Sequence, residues 1–511
     1  MLQKNNYFHH ILALSATAVL ITVVLSFTNH LPDFLTAFLQ NSPSEFQYDP
    51  PAGLIENVAT SSMEVGTAVA VPILMYHGVV TGKDESGDNT AWVNFIEQME
   101  MLKKNGYQTI TVNDYDNFRS GKFLLPPKPI IITFDDGRKD SFYPVDEVLK
   151  KLGFQATIFI ATVKANEHDP FYLSWEELKT VKETGRWEIE AHGRHSHDTV
   201  IIDAEKTQGR YLTSRTFNTE TKIESVADFE NRVRADYKNG ILDLQEQLHI
   251  DARYFAIPLN DYGREESNYD GAYEFNKQLT KEYFKLAFIE CLTDKNKALD
   301  TFYNYVDTDP YSLVRLEVKD MSGEDLKSNL LQFSPSLPKV VFPLAATDNI
   351  QPMQSRLYKE FGNYQVTNTE IILQTNSTET ATKVIGGDKG WSNYSIDVKV
   401  QNKTNSEGWV FIYYTDEDNL IQLFWNESKV GVRQRFNGEE TLISEKKVPL
   451  DTKAANIKLS VQNGILNGTI NGYQLVKNYQ VKLKRGAYGF GMWDPDGGEL
   501  TIEALSINSL E

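Results

Sequence analysis

The sequence predicts two folded domains, an α/β domain built on a parallel sheet or barrel and an all-β sandwich or jelly roll. Between about residues 69 and 340, short apolar strands alternate with helical segments, which is typical of a sheet with helices packed outside it. After about residue 350 helical periodicity disappears, and Asn-Gly pairs at 437, 463, 467 and 471 favour β-hairpin turns. We therefore expect an all-β domain over residues 350–511.

Each element of the first domain rests on its local pattern. A continuous apolar run predicts a strand at Ile130–Phe134, the next strand is predicted at Ala156–Ala161, and a further one at Trp187–His192. Apolar residues at helical spacing predict a helix over Val145–Leu152, between the first two of these strands. A more polar helix is predicted over Val226–Leu248, inside an insert (203–248) whose role the sequence does not identify.

Composition excludes several classes of protein. The chain has 511 residues, of which 41% are hydrophobic and 12% aromatic, too many for a disordered protein. The net charge of −19 argues against a nucleic-acid-binding protein, because a basic face is hard to assemble against that background. A single cysteine, Cys291, excludes an intramolecular disulfide and a cysteine-based zinc site.

The N-terminal residues predict export from the cytoplasm. No charged residue occurs between Asn5 and Pro32, and Ile11–Phe27 is nearly continuous apolar sequence, at the short limit for a membrane-spanning helix. We expect residues 1–28 to be an anchor or signal segment, with the N-terminus inside, and 29–68, which contains several prolines and serines, to be a linker. The protein is then extracytoplasmic, held at the membrane by one helix or secreted.

Two adjacent carboxylates follow a predicted buried strand. Asp135 and Asp136 come directly after Ile130–Phe134, at the end of the strand where active sites of barrels and α/β sheets lie. Because consecutive strand residues point to opposite sides, one could bind a metal while the other acts as a base. A simple strand-to-helix turn, with Asp as helix cap and Gly137 in the bend, is the alternative.

Three of the nine histidines fall within six residues, as His192, His195 and His197. Histidine is the commonest metal ligand, and a turn after a strand can direct two imidazoles at one point. The spacing does not decide whether His195 or His197 is the partner of His192. A solvated polar loop is the alternative.

Two further strand ends carry polar residues. His77 follows the apolar run Pro72–Tyr76 and could act as a general acid, although an ordinary surface histidine is an equal alternative. The stretch Phe255–Gly263 enters a polar turn that contains Pro258, Asn260 and Tyr262. An ordinary Pro/Gly turn explains this stretch as well.

Together these four motifs resemble the NodB-homology polysaccharide deacetylases (carbohydrate esterase family four), in particular the exopolysaccharide deacetylase branch. The resemblance covers roughly residues 69–334 and implies a distorted (β/α) barrel. In that family the first Asp of Thr-Phe-Asp-Asp-Gly is the catalytic base and the second a metal ligand, which implies Asp135 and Asp136 here. The resemblance also implies His192 and His197 as metal ligands and His77 as general acid. The implied ion is Zn²⁺, with Co²⁺, Ni²⁺ or Fe²⁺ as alternatives.

The resemblance extends to the substrate groove, with two departures. It implies that the following residues lie along bound polysaccharide: Arg194, His195, Pro258, Asn260 and Tyr262. Leu259-Asn260 stands where the family usually has an aromatic residue and glycine, and Gly193 stands where it has Ser or Thr. Both departures concern the fit of the substrate.

The second domain more weakly resembles the concanavalin-like jelly rolls found in carbohydrate enzymes. Four aromatic residues are candidates for stacking on sugars, with packing in the core as an equal alternative: Trp409, Tyr414, Trp425 and Trp493. This domain is therefore a candidate carbohydrate-binding domain.

We expect a metal-dependent hydrolase that removes N-acetyl groups from N-acetylglucosamine-containing polysaccharide, in peptidoglycan or exopolysaccharide. An O-acetyl esterase acting on an acetylated glycan is one alternative, since the same site can cleave both bonds. A non-catalytic glycan-binding wall protein is another. Glycosidase chemistry would need two carboxylates, for which Glu188 and Glu190 are candidates.

Overall fold

The structure is a computed structural model. It describes residues 46, 48, 50, 68–82, 87–220, 222–260, 262–263, 267–290, 302–343, 357–404, 406–447 and 453–510. The predicted membrane segment (1–28) lies outside these residues. Within the described ranges, no helix is both long and apolar enough to cross a membrane.

The chain divides into two compact units. The first contains residues 1–290 and 306–328, and the second contains 291–305 and 329–511. The predicted domain boundaries, 69–340 and 350–511, stay predictions.

The first unit is built on a closed barrel of seven parallel strands, which confirms the predicted (β/α) barrel. Its strands are β1 (Ala70–Tyr76), β2 (Pro129–Phe134), β3 (Ala156–Ile160), β4 (Trp187–Ala191), β5 (Tyr254–Ala256), β6 (Leu286–Glu290) and β7 (Leu313–Glu317). Each strand pairs with the next in chain order, and β7 pairs with β1, so that all seven carboxyl ends meet at one rim.

Side chains fill the barrel interior. Ile73, Ile131, Phe159, Phe288 and Leu313 come from five different strands and are buried in one cluster. Successive strand residues point alternately into the barrel interior and towards the helices outside it. A continuous apolar run such as β2 therefore supplies apolar side chains to both packing layers. This packed interior leaves the rim as the place for polar side chains.

Helices connect the strands. They are α1 (Trp92–Lys104), α2 (Val112–Arg119), α3 (Lys139–Phe142), α4 (Asp146–Leu152), α5 (Thr162–Asn166), α6 (Trp175–Glu183), α7 (Val226–Leu248), α8 (Ala272–Tyr283) and α9 (Gly323–Phe333). A 3₁₀ turn spans Pro258–Asn260, and six short strands lie at Val79–Val80, Thr90–Ala91, Gln108–Thr109, Thr199–Ile201, Gln208–Arg210 and Tyr303–Tyr305, with a small hairpin at Phe217–Asn218 and Lys222–Ile223.

Local signals fix where the helices begin and end. α2 and α6 each start at a capping box, made by Thr111 with Asp114 and by Ser174 with Glu177. The long helix α7 begins after Ser225, whose hydroxyl accepts the Asp228 N–H. Its bounds are those predicted from the sequence.

The second unit is a sandwich of two antiparallel sheets, as predicted. Its strands are β8 (Lys339–Phe342), β9 (Leu357–Phe361), β10 (Asn363–Val366), β11 (Ile371–Gln374), β12 (Ala381–Gly386), β13 (Tyr394–Asn402), β14 (Glu407–Asp416), β15 (Asn419–Trp425), β16 (Val430–Phe436), β17 (Glu439–Lys446), β18 (Ala454–Gln462), β19 (Ile465–Ile470), β20 (Tyr473–Gln480), β21 (Ala487–Trp493) and β22 (Glu499–Ser509). One sheet has the order β10-β11-β22-β13-β18-β19-β20, with β8 beside β22, and the other β9-β12-β21-β14-β15-β16-β17. Apolar residues from both sheets form a shared core.

Three of the four Asn-Gly pairs form the turns that were predicted. Asn437, Asn463 and Asn471 all have positive φ, near 50°, as tight hairpin turns require. The prediction is wrong for Asn467, which lies inside β19 and pairs with Ser460. There the flanking strand pairs override the local turn preference.

Candidate metal and catalytic centre

The candidate site lies at the carboxyl-terminal rim of the barrel. His77 follows β1, Asp135 and Asp136 follow β2, and His192 follows β4. The backbone N–H of Asp135 donates to the carbonyl of Tyr76, the last residue of β1, at 3.0 Å. Closure of the barrel therefore brings together residues that are distant in the sequence.

Asp136, His192 and His197 converge on one point. Oδ1 of Asp136 is 3.5 Å from Nε2 of His192 and 3.3 Å from Nε2 of His197. One ligand atom from each of the three residues lies within 4.8 Å of the others. Asp136 reaches this position because its φ is 74°, so that the chain turns sharply after β2.

The donor set suits a divalent metal ion. Nδ1 of His192 lies 2.8 Å from the carbonyl oxygen of Ala256, to which it donates, so that Nε2, which faces Asp136, is the candidate ligand atom. Burial, together with the charge of His192, lowers the pKa of His197 to about 4, so its imidazole is neutral at pH 7. Nδ1 of His197 is buried and has no hydrogen-bond partner within the described part of the chain. One carboxylate and two imidazoles are a common ligand set for Zn²⁺ and similar ions.

The two carboxyl groups next to these imidazoles are ionised. Burial alone would raise the pKa of Asp136, but its hydrogen bond with His192 and the neighbouring imidazoles hold it well below its ordinary value. In return, the carboxylates of Asp135 and Asp136 outweigh the effect of burial on His192 and raise its pKa.

Asp135 faces a different partner, Arg315 on β7. Nη1 of Arg315 is 2.7 Å from Oδ1 of Asp135, and Nη2 is 2.8 Å from Oδ2. Burial works to raise the pKa of Asp135, but the Arg315 guanidinium outweighs burial, so the pKa lies below its ordinary value. Asp135 is therefore a fixed carboxylate whose Oδ2 lies 3.9 Å from Nε2 of His192.

The sequence interpretation missed Arg315 and also Glu290, at the end of β6. The two are direct neighbours in the pairing of β6 with β7. Burial raises the pKa of Glu290, and Arg315, Asp135 and His77 are among the charges that act on it. The sequence signal that could have identified both residues is a charged side chain within an apolar strand or at its end.

His77 is half-buried beside this centre. The carbonyl of its neighbour Tyr76 accepts the Asp135 N–H at 3.0 Å, and its own carbonyl accepts the Ser141 hydroxyl at 2.8 Å. Its Nδ1 has no hydrogen-bond partner among the residues that the structure describes. The position is compatible with the predicted role of His77, which stays a prediction.

The predicted substrate-binding residues of the histidine turn contact neighbouring protein groups. Nε of Arg194 lies 3.1 Å from Oδ2 of Asp243 on α7. Nδ1 of His195 lies 2.9 Å from Oδ2 of Asp198, and its ring is half-exposed. His195 is thus directed away from the Asp136–His192–His197 cluster.

The stretch after β5 is also tied to the barrel. Pro258 is buried, and Oδ1 of Asn260 accepts the Glu290 N–H at 2.9 Å. Tyr262 is 7% exposed and donates its hydroxyl to the carbonyl of Tyr311 at 2.8 Å. In contrast, Leu259 is 45% exposed, so an apolar side chain is presented where the family has an aromatic one.

Glu188 and Glu190 bind backbone groups. Glu188 accepts the N–H groups of Val112 and Asn113, at the start of α2, at 2.8 and 3.2 Å. Glu190 accepts the N–H groups of Arg253 and Tyr254. These contacts give both carboxyls a structural role, and they do not support the glycosidase alternative.

Of the four aromatic residues considered in the sandwich, two reach its surface. Trp425 and Tyr414 are 0% and 1% exposed, so neither can present a ring to a sugar. Trp493 is 47% exposed and Trp409 is half-buried. Trp493 pairs with Glu407, and Trp409 pairs with Gly491, which places both tryptophans on the same face of their sheet.

Comparison with known proteins gives consistent matches to the barrel. Residues 125–273 match a family model described as polysaccharide deacetylase. A putative polysaccharide deacetylase, YxkH, of Bacillus subtilis is 34% identical over 123 residues, which are 24% of this chain and 42% of that protein.

Two further relatives are named poly-β-1,6-N-acetyl-D-glucosamine N-deacetylase. The Staphylococcus aureus (strain MRSA252) protein is 30% identical over 138 residues, covering 23% of this chain and 47% of the relative. The Escherichia coli K12 protein is 22% identical over 181 residues, covering 32% and 27%. The matches span less than half the length of each relative.

Proposed function

We propose that the protein removes N-acetyl groups from an N-acetylglucosamine polysaccharide, on the basis of the match of residues 125–273 to a family model described as polysaccharide deacetylase. We propose further that it needs a divalent metal ion and acts outside the cytoplasm. The relatives named above support the amide bond of poly-β-1,6-N-acetylglucosamine as the target, since two of them are named as N-deacetylases of that polymer. Peptidoglycan is the second polymer to test.

One observation carries the proposal: a carboxylate and two imidazoles converge beside a second carboxylate that has its own fixed partner. Asp136, His192 and His197 would hold the ion, and Asp135 is held apart from it by Arg315. The two adjacent carboxyls thus have different partners, as metal-assisted hydrolysis requires of a ligand and a base.

Two side chains, Asp135 and His77, would each carry out one of the two proton transfers of the reaction. A bound divalent ion, Zn²⁺ in the first instance, would act as a Lewis acid on the acetyl carbonyl and on water. Asp135 is ionised and can accept the proton of the attacking water, because each carboxylate oxygen keeps a lone pair beyond its bond to Arg315. His77 can donate a proton to the nitrogen as the carbon–nitrogen bond breaks. The products are acetate and a free amine.

Acetate release by the full chain in detergent, with and without a metal chelator, tests the proposal. The substrates are poly-β-1,6-N-acetylglucosamine, chitooligosaccharides, peptidoglycan and acetylated xylan. Asp135→Asn is the matched control, because it keeps the three ligands and should keep bound metal while losing turnover. Release from xylan alone would indicate an O-acetyl esterase instead. Absence of both metal and release would indicate a non-catalytic glycan-binding protein.

The location is tested separately on intact cells. The apolar segment at residues 11–27 supports export and attachment to the membrane. If the barrel lies outside the cytoplasm, an external protease should digest it in cells whose cytoplasmic marker proteins stay intact. Protection of the barrel under these conditions would contradict the proposed location.

A further inference from the structure

The two histidines of the metal cluster lie at the ends of one tight turn. Gly193 has φ of +81°, and its carbonyl accepts the Thr162 N–H at 3.1 Å. The Ser196 hydroxyl donates to the carbonyl of His192, which closes the turn. The distance between the imidazoles of His192 and His197 therefore depends on how this backbone is held.

Helix α7 supplies a buried carboxylate to the outer side of the turn. Asp236 is 3% exposed, and its Oδ1 accepts the His195 N–H at 2.6 Å. Its Oδ2 accepts the Arg194 N–H at 3.1 Å. One side chain thus binds two consecutive backbone amides between the two histidines of the cluster.

The same face of α7 contacts the turn along its length. Gly240 follows Asp236 by one helical turn, and a Cβ atom there would lie 3.1 Å from the carbonyl carbon of Gly193 and 3.4 Å from the amide nitrogen of Arg194. Asp243, three residues further, is the ion-pair partner of the Arg194 side chain. This spacing of four and three residues places all three groups on one helix face.

We infer that α7 positions the metal-binding turn, with Asp236 as the positioning residue that sets the separation of the His192 and His197 imidazoles. This inference rests on the proposed metal-dependent function. It also assigns a role to the predicted insert (203–248), because α7, which belongs to this insert, holds the histidine turn. The side chain of Asp236 binds the backbone N–H groups of Arg194 and His195, and it is through these two amides that it would act on the cluster.

Two variants of the full chain in detergent test this role. Asp236→Asn keeps the volume of the side chain, but its amide NH₂ replaces one acceptor and faces a backbone N–H. Gly240→Ala adds a methyl group against Gly193 while improving the intrinsic helix preference of α7. Lys238→Ala is the matched control on the exposed face of α7. Asp243→Asn removes the partner of the Arg194 side chain and leaves the turn amides bound.

The readouts are the zinc dissociation constant from competition with a chromophoric chelator, the visible spectrum of the Co²⁺ form, and thermal unfolding without metal. We expect Asp236→Asn to weaken zinc binding by about 10- to 100-fold, the usual effect of losing a group that orients a ligand. Gly240→Ala should change zinc affinity and the Co²⁺ spectrum in the same direction. Lys238→Ala should stay within about twofold of the wild type, and Asp243→Asn should lose less affinity than Asp236→Asn.

Unchanged zinc affinity and Co²⁺ spectrum in both Asp236→Asn and Gly240→Ala, with only a lower unfolding temperature, would overturn the inference. So would equal losses in Asp243→Asn and Asp236→Asn, because the whole helix rather than the carboxylate would then be responsible. If Asp236→Asn fails to fold, Gly240→Ala decides by the same criteria. A wild-type chain that binds no stoichiometric zinc or cobalt would refute the metal dependence of the proposed function together with this inference.

Discussion

Arg315 binds both carboxylate oxygens of Asp135, at 2.7 and 2.8 Å, across 180 residues of sequence. Both side chains are almost completely buried, at 0% and 2% exposure. A two-point contact of this kind fixes the direction of the carboxylate as well as its charge. The pairing therefore keeps Asp135 ionised and fixes its carboxylate beside the Asp136–His192–His197 cluster, with Oδ2 3.9 Å from Nε2 of His192.

We expect Arg315→Met to destabilise the barrel by about 3–5 kcal/mol, because it leaves Asp135 as a buried charge without its partner. Urea unfolding followed by tryptophan fluorescence measures this loss. The double variant Arg315→Met with Asp135→Asn should recover most of the lost stability, since it removes the unpaired charge. If the single variant were as stable as the wild type, the pair could not be what keeps Asp135 charged.

His195 and His197 form a matched pair for testing the ligand set. His197→Ala removes an imidazole whose Nε2 is 3.3 Å from Asp136, so we expect zinc affinity to fall by more than about 100-fold, beyond the loss for groups that only orient ligands. His195 contacts Asp198, so His195→Ala should cost less than about tenfold. Chelator competition measures both. The opposite order would assign the ligand role to His195.

The barrel strands and the polar residues at their ends were predictable from sequence because each depends on local pattern. Apolar runs of five or six residues predicted β2 and β3, and an ionisable side chain that follows such a run is expected at the rim of the barrel. The choice of His197 over His195 needed the resemblance to a family. The spacing alone could not identify His197 as the ligand, because a turn after the strand can direct the imidazole of either residue towards His192.

The contacts that hold the site were not predictable in the same way. Asp236 lies 41 residues from His195, and Arg315 lies 180 residues from Asp135, so that only closure of the barrel and docking of α7 bring them together. Trp425 could not be assigned to the core from sequence for a different reason. Its strand β15 has apolar residues on both faces, and the register of the sheet directs Trp425 into the core.

The exposed tryptophan of the sandwich is the group to test for binding of polymer. Trp493 is 47% exposed on the same sheet face as Trp409, whose Nε1 donates to Glu407 at 2.7 Å. If this face binds polysaccharide, Trp493→Ala should weaken sedimentation of the chain with insoluble substrate by about fivefold or more, the effect of losing one aromatic anchor. It should leave turnover of a short soluble oligosaccharide unchanged.

Leu442→Ala is the matched control for that experiment, because Leu442 is 56% exposed on a strand of the same sheet and its side chain has no flat ring. It should bind polymer like the wild type. Equal sedimentation of Trp493→Ala and the wild type would show that this face plays no part in binding.

Glu188 predicts a dependence of stability on pH that is independent of the metal site. Burial raises the pKa of Glu188 to about 7, from 4.5 in the unfolded chain, despite three hydrogen bonds to its carboxylate. The folded state thus binds a proton more tightly than the unfolded state. The stabilisation is complete below pH 4.5 and is lost as the pH rises to about 7, by up to roughly 3 kcal/mol.

Glu188→Gln should remove this dependence, because the amide resembles the protonated carboxyl and does not titrate. Urea unfolding of both proteins between pH 5 and 8 measures the difference. As the pH rises from 5 to 8, the free energy of unfolding of the wild type should fall relative to that of the variant. A difference that stays constant with pH would show that Glu188 is ionised in the folded protein at all these values. The N–H groups of Val112 and Asn113 at the start of α2 would then outweigh its burial.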